Sequence, residues 1–181
     1  DVHAQVIGMT VPTILTKRLA LRQMQMSDVA QVVSGLNNLN VSRWLTVVPY
    51  PYCLADAEWF ITENIEGRFT SWSIWADDVI IGNVGLGPTL GYWLAEPAWG
   101  KGYGYEAASA ICDHHFEATD AESLQSEFFV GNTGSETILR KLGLLPTGQQ
   151  TSPIAALGTT TQSTTMELTR NRWETLRTGA Q

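Results

Sequence analysis

Gly100-Lys101-Gly102-Tyr103-Gly104-Tyr105 joins an apolar, strand-like run, Leu90-Gly91-Tyr92-Trp93-Leu94-Ala95, to a helical run that begins at Glu106. A Gly-rich turn that feeds a helix is a cradle for phosphate. Glycines carry no Cβ to hold an anion at a distance, and the free N–H groups and positive dipole end of a helix favour negative charge there. The same residues also fit an ordinary flexible turn before a helix, so the rest of the chain has to decide. The nucleotide P-loop pattern G-x-x-x-x-G-K-[ST] occurs nowhere in the sequence. The G-x-G-x-G spacing of Gly100, Gly102 and Gly104 also fails the G-x-G-x-x-G fingerprint of a dinucleotide fold.

Working outward, the chain alternates strands and helices. Ile14 to Met24 reads as a strand, and Ser27-Asp28 offers a helix N-cap ahead of Val29, Val32, Val33 and Leu36 at helical spacing. Asn37-Asn38 ends that helix, an irregular stretch runs through Pro49 and Pro51, and Asp56 can cap a helix carrying Trp59, Phe60, Ile61 and Ile65. Phe69 to Ala76 and Val79 to Leu86 read as a hairpin across Asp77-Asp78 that continues into the strand at Leu90. A helix from Glu106 to Ala118, a strand from Ser123 to Val130 and a helix from Ser135 to Leu142 closed by Gly143 follow. Two Thr-rich strands, with Thr159 to Thr165 in a closing hairpin, finish the chain.

Composition bounds the function. At 181 residues and 44% hydrophobic, the chain can bury one sizeable core, and a single domain over 14–175 is expected, with an extension at 1–13 and a tail at 176–181. A net charge of −7 with only 11 Lys and Arg argues against nucleic-acid binding and favours cationic partners such as amines or basic peptides. No run approaches the roughly 18 apolar residues of a membrane span, and the first residues lack a basic-then-apolar leader, so a cytoplasmic protein is expected. Cys53 and Cys112 form no CxxC pair and read as small buried hydrophobes. His114 and His115 are adjacent on a helix and point about 100° apart, which does not suit one metal; one partly buried and one solvated ring is expected.

The segment Glu96-Pro97-Ala98-Trp99-Gly100-Lys101-Gly102-Tyr103-Gly104-Tyr105-Glu106-Ala107 resembles the acetyl-CoA loop of the GNAT N-acetyltransferase superfamily, [RQ]-x-x-G-x-[GA], with Trp99 in the Arg or Gln slot. It is closest in form to the ribosomal-protein N-terminal acetyltransferase branch, which often reads P-x-x-W-G-K-G-Y-[AG]-x-E-A. Further matches stand in the same order along the chain. Thr16 to Arg22, Ile81 to Leu86 and Leu90 to Leu94 resemble that branch's first, third and fourth strands. Asn132-Thr133-Gly134-Ser135 with Ile138 to Gly143 resembles N-x-x-S-x-x-[VI]-L-x-K-x-G, and Leu168 to Trp173 resembles the terminal L-T-x-x-x-W.

The resemblance implies an α/β fold: a mixed, mostly antiparallel sheet of six to seven strands with about four helices, splayed open to hold CoA between Leu90–Ala95 and Ser123–Val130. It implies acetyl-CoA as co-substrate, no metal, an amine acceptor and a monomer or homodimer. Backbone groups of Trp93, Leu94 and Ala95 would pair with the pantetheine arm. Gly100, Lys101, Gly102, Tyr103, Gly104 and Tyr105 would hold the pyrophosphate, Asn132 would touch the CoA arm, and Ser135 would protonate the leaving thiolate. Asn132 and Ser135 also fit purely local roles, as a turn residue and a helix cap. Trp44, Tyr50, Tyr52, Trp59 and Phe60 are candidates for an acceptor pocket and equally for core.

The general base stays open at this level. The Glu that many relatives carry before the L-G-Y strand is replaced here by Pro88-Thr89, leaving Glu58, Glu63, Glu127 or a water chain. Acetylation of a protein or peptide α-amine, acetylation of a small amine such as a polyamine or antibiotic, and a non-catalytic acyl-CoA sensor are the readings that remain.

Overall fold

The computed structural model describes residues 10–179, so the stretch 1–9 of the expected extension and residues 180–181 lie outside the described residues. Ile14 to Met24 is not one strand. Thr16 turns the chain, its hydroxyl accepting the Leu19 N–H (3.1 Å) while its own N–H reaches the Leu19 carbonyl (2.9 Å). The result is a pair of short antiparallel strands, β1 (Ile14–Leu15) and β2 (Leu19–Arg22).

The next three helices each start differently from the sequence reading. Asp28 does not cap α1 (Val29–Leu36); its buried carboxylate reaches back to the Gln25 N–H (2.9 Å) across a short 3-10 turn. Asn38 does more than break that helix, because its side chain accepts the Asn40 N–H and starts α2 (Leu39–Ser42) inside the stretch read as irregular. In α3 (Leu54–Ile65) the cap position is Cys53, and Asp56 closes the turn by accepting the Cys53 N–H at 2.8 Å. Cys53 is exposed there, not buried, whereas burial pushes the Cys112 thiol up to about 12 and leaves it an inert core residue.

The hairpin and its continuation form as expected: β3 (Thr70–Ala76), β4 (Val79–Leu86) and β5 (Leu90–Leu94) run antiparallel, with a bulge between Ile74 and Trp75 where β3 pairs with β4. Then come α4 (Tyr103–Ala118), β6 (Ser123–Phe129), α5 (Thr133–Leu142), β7 (Leu145–Ile154), β8 (Thr159–Thr169) and α6 (Arg170–Thr178). The sheet order is β1-β2-β3-β4-β5-β6-β8-β7, with β5 and β6 parallel and the other neighbours antiparallel. The described residues thus hold eight strands and six α-helices, more than the six to seven and about four expected, within the same α/β class. The split of the first strand, α2 and α6 account for the difference.

Two cores flank the sheet. On one face Ala107, Ala108, Ile111 and Phe116 of α4 and Leu139 of α5 pack on Trp72, Ile74, Met166 and Leu168. On the other, Val32 and Leu36 of α1 and Ala57 and Ile61 of α3 pack on Met24 and Trp93. Trp93 comes so close to α1 that a Cβ on Gly35 would lie 2.7 Å from its ring. Trp59, Phe60 and Phe69 form an aromatic cluster at the edge of the second core, against which Phe60 packs, with Trp59 59% exposed and its ring 5.6 Å from that of Phe69.

The terminal L-T-x-x-x-W motif proves to be a bracket for α4. Arg170 donates to the carbonyls of Phe116 (2.9 Å), Thr119 (2.6 Å) and Ala121 (2.9 Å), where the last turn of α4 leaves acceptors unpaired. Trp173 stacks on Phe116 at 5.0 Å and donates its indole N–H to Asp113. The stretch read as a tail begins inside α6, which runs to Thr178. Arg170→Ala leaves these carbonyls without their cationic donor, and a loss of about 2–4 kcal/mol in unfolding free energy by denaturant titration is expected.

Candidate active site

β5 and β6 meet at one register pair, Leu90 with Ser126, where the Ser126 hydroxyl donates to the Leu90 carbonyl at 2.7 Å. Beyond that pair the strands diverge. The gap is a cleft of ≈ 780 Å³ walled by both strands, by the Gly loop, by the start of α5 and by Val41, Trp44 and Leu45. That volume falls within the range of small-molecule sites.

Which backbone groups of β5 face the cleft follows from the strand's two-residue period. Ala95 donates its N–H to the Ile81 carbonyl at 2.8 Å, so Ala95 and Trp93 spend their backbone groups on β4. Tyr92 and Leu94 point the other way. Of Trp93, Leu94 and Ala95, only Leu94 therefore turns its backbone to the opening, joined by Tyr92, which the sequence reading left out. The Leu94 carbonyl already accepts the Trp99 indole N–H at 2.9 Å, so the residue in the Arg or Gln slot of the loop is a brace for β5.

α4 begins at Tyr103, earlier than the sequence suggested, which puts Tyr103, Gly104 and Tyr105 in its first turn with free N–H groups beside the loop. Gly100 and Gly102 hold φ of 74° and 80°, a left-handed conformation that side chains disfavour, and Gly102 is the cap residue itself. Gly104 serves packing instead: a Cβ there would lie 2.9 Å from Ile138 and 3.3 Å from Leu94. The Lys101 side chain is exposed and outside the cleft wall, while its carbonyl accepts a 2.8 Å hydrogen bond from Arg18. Arg18 also pairs with Glu106 at 2.7 Å and covers the Tyr103 ring. Burial opposes ionisation of Glu106, yet hydrogen bonds from Thr16 and Arg18 hold its carboxyl below the usual range. The first hairpin is thereby bolted to the cradle, a link the sequence motif around Arg18 did not reveal.

Asn132 caps α5, accepting the Ser135 N–H at 3.2 Å, and both residues line the cleft. Ser135 is therefore not the cap. Its hydroxyl is hydrogen-bonded instead to the Tyr92 hydroxyl, 3.0 Å away across the cleft's inner end. Of the three candidate carboxylates, Glu58 and Glu63 sit on α3 outside the cleft, Glu63 being paired with Arg68. Glu127 is in the cleft wall. Its Oε2 accepts from Gln150 (2.6 Å), Ser152 (3.0 Å) and Ser163 (2.7 Å), all from the β7–β8 hairpin. No hydrogen bond to its Oε1 is present among the described residues.

The expected acceptor arm is largely corrected. Trp44 lines the cleft, Tyr52 is buried in the second core, and Tyr50, Trp59 and Phe60 lie away from the opening. α2 is held against the loop after β5 by Glu96, which accepts from Asn38 (2.7 Å) and Asn40 (3.1 Å) and whose carboxyl those bonds lower below its usual range. At the far end the Thr46 carbonyl takes the Ala155 N–H at 3.1 Å, bridging the two walls. His114 and His115 are both half-buried, His114 edge-on to Trp72 and His115 at 3.2 Å from the Ser123 carbonyl. Among the described residues no cluster of His, Cys, Asp or Glu is gathered as for a metal, and no helix is long and apolar enough to cross a membrane.

Residues 18–145 match the family model described as the acetyltransferase (GNAT) domain. The chain belongs to the GNAT acetyltransferase family. As such it is an acyltransferase that takes its acetyl group from acetyl-CoA and passes it to an amine. It is similar to the uncharacterized N-acetyltransferase p20 of Bacillus licheniformis, 24% identical over 149 residues, covering 75% of this chain and 84% of that protein. Among solved structures it resembles RimL, the ribosomal L7/L12 α-N-protein acetyltransferase in complex with coenzyme A, with TM-score 0.75, 18% identity and coverage of 87% and 98%. It also resembles the microcin C7 self-immunity acetyltransferase MccE in complex with acetyl-CoA and AMP, with TM-score 0.73, 15% identity and coverage of 85% and 93%.

Gly100 has open space where an added Cβ would meet nothing within 4 Å, and Gly102 is a left-handed helix cap; such geometry lets an anion come close to backbone N–H groups. A carboxylate at position 102 would meet like charge from a pyrophosphate held by this loop, and a backbone angle it disfavours. Gly102→Glu is expected to weaken acetyl-CoA binding at least about tenfold on electrostatic grounds. Calorimetry on the folded variant checks this, and unchanged affinity would take the loop out of the site.

Proposed function

We propose that this GNAT protein acetylates a peptide or protein α-amine, with Glu127 as general base and Ser135 as donor to the departing thiolate. The observation that carries the chemistry is the presence of both side chains in the wall of one cleft that is also bordered by the Gly loop and the first turn of α4. A thioester is already activated, so the chain has to bring the amine in neutral form, hold it against the carbonyl and meet the leaving sulfur. Glu127 takes one proton from the amine as the N–C bond forms. The C–S bond breaks, the thiolate takes the Ser135 proton, and the proton held by Glu127 returns through water to Ser135.

Gly100, Gly102 and the first turn of α4 would receive the pyrophosphate, with Lys101 adding charge at the rim and Asn132 beside the CoA arm. The Tyr92 backbone and the Leu94 N–H would pair with the pantetheine arm on the open edge of β5, the Leu94 carbonyl being taken by Trp99. The triple hydrogen bonding of Glu127 Oε2 aims the carboxylate and leaves Oε1 for the amine. A net charge of −7 draws cationic acceptors. The peptide acceptor is supported by the likeness to RimL and by the branch motifs around Trp99 and Ser135.

The deciding experiment is release of free thiol from acetyl-CoA over a panel of peptides with free amino termini and of small amines. Turnover confined to peptides supports the proposal. Turnover confined to small amines replaces the acceptor class, and tight acetyl-CoA binding without turnover on any acceptor overturns the catalytic reading.

A further inference from the structure

We propose that Tyr92 is a positioning residue that holds the Ser135 hydroxyl with its proton directed into the cleft. The inference rests on the reading of Ser135 as donor to the leaving thiolate. A serine hydroxyl has one proton, two lone pairs and a rotor with three staggered wells, so by itself it spends only part of its time aimed at any one atom. Ser135 gains no help from its helix, since the cap bond at this end runs from its backbone N–H to Asn132 and leaves the hydroxyl uncommitted. The one hydrogen bond to that hydroxyl among the described residues comes from across the cleft, at 3.0 Å, from Tyr92.

The direction of that bond follows from the acidities. A phenol is a stronger acid than an aliphatic alcohol, so Tyr92 donates and Ser135 accepts, which leaves the serine proton free for the sulfur. Burial pushes the Tyr92 phenol up to about 12, partly offset by the bond to Ser135, so it stays protonated and a donor throughout the neutral range. The phenol is also well fixed. Tyr92 sits opposite Val84 in the β4–β5 pairing and packs on the main core with Leu94, so its hydroxyl is a rigid point against which the serine rotor is set. As negative charge grows on sulfur, the phenol's donation stabilises the partial charge passed to the Ser135 oxygen, an effect present in the transition state and not in ground-state binding.

The test is a double-mutant cycle of Tyr92→Phe and Ser135→Ala on the whole chain, read by steady-state kinetics with acetyl-CoA and by calorimetry. Phenylalanine keeps the packed ring and removes the hydroxyl. Tyr92→Phe is expected to lower kcat about fivefold to tenfold, the worth of one net hydrogen bond, with KM and Kd for acetyl-CoA within about twofold. In the Ser135→Ala background the same change is expected to cost nothing further. A Tyr92→Phe variant with unchanged kcat, beside a Ser135→Ala variant that is impaired, overturns the positioning role alone. Equal losses in both backgrounds also overturn it, because Tyr92 then acts without Ser135. If Ser135→Ala leaves kcat unchanged, the reading of Ser135 itself has failed and this inference falls with it. Melting curves of both single variants show whether any loss is one of folding.

Discussion

Glu127→Gln lowers kcat/KM for the amine acceptor by roughly a hundredfold or more, the range expected when a positioned general base is removed. The amide is close in shape to the carboxylate and can still accept from Gln150, Ser152 and Ser163, so the hairpin that holds residue 127 keeps its bonds. Melting temperature and acetyl-CoA affinity are therefore expected to stay near those of the parent. The deficit should shrink as pH rises, because an acceptor amine that is already neutral in solution has less need of a base. A variant within about threefold of the parent across the neutral range would instead assign the proton to water. Neither Glu58 nor Glu63 can substitute from α3, which is why this single change carries so large an expected effect.

Gly82→Ala is expected to destabilise the protein by about 3 kcal/mol or more, a severe case of overpacking. A Cβ at position 82 would stand 2.1 Å from the Trp93 carbonyl and 3.1 Å from the Leu94 Cα. Both neighbours are backbone, so no rotamer change relieves the clash and β5 itself must shift. For a chain of this size the fall in melting temperature is roughly 6–12 °C. Since Leu94 forms the open edge of the cleft, KM for acetyl-CoA should rise as well. Gly91→Ala on the neighbouring strand β5 is the control, because a Cβ there meets nothing within 4 Å. If the two substitutions cost the same, close contact between β4 and β5 is not what glycine 82 provides.

The alternation of strands and helices and the position of the cradle were legible in the chain itself. Local chemistry accounts for that. The apolar run of Val79 to Leu86, the turn at Asp77-Asp78 and the helix stop at Gly143 are properties of near neighbours, and each appears where the sequence indicates. Helix starts were less legible, since whether Asp28, Asp56 or Asn38 caps depends on where the preceding turn leaves the side chain. α6 lay hidden behind polar residues because its identity comes from Arg170 and Trp173 meeting the end of α4, with Arg170 reaching Phe116 from 54 residues away in sequence.

The site divides along the same line. The sequence by itself singled out Gly100, Gly102, Gly104, Asn132 and Ser135, which the fold gathers along one cleft, because a Gly-rich turn and a helix start are continuous in the chain. Only the tertiary structure decided which of the three carboxylates lies in the cleft wall, since Glu127 is held there by Gln150, Ser152 and Ser163 across two strand pairings. It also decided that Tyr92 and Leu94, rather than Trp93 and Ala95, present backbone to the cleft, because that choice rests on which neighbour of β5 takes the first hydrogen bond. Trp59 was separated from the opening and Trp44 kept there by the same cause: the side a ring faces is set by what its segment packs against, and no residue carries that information alone.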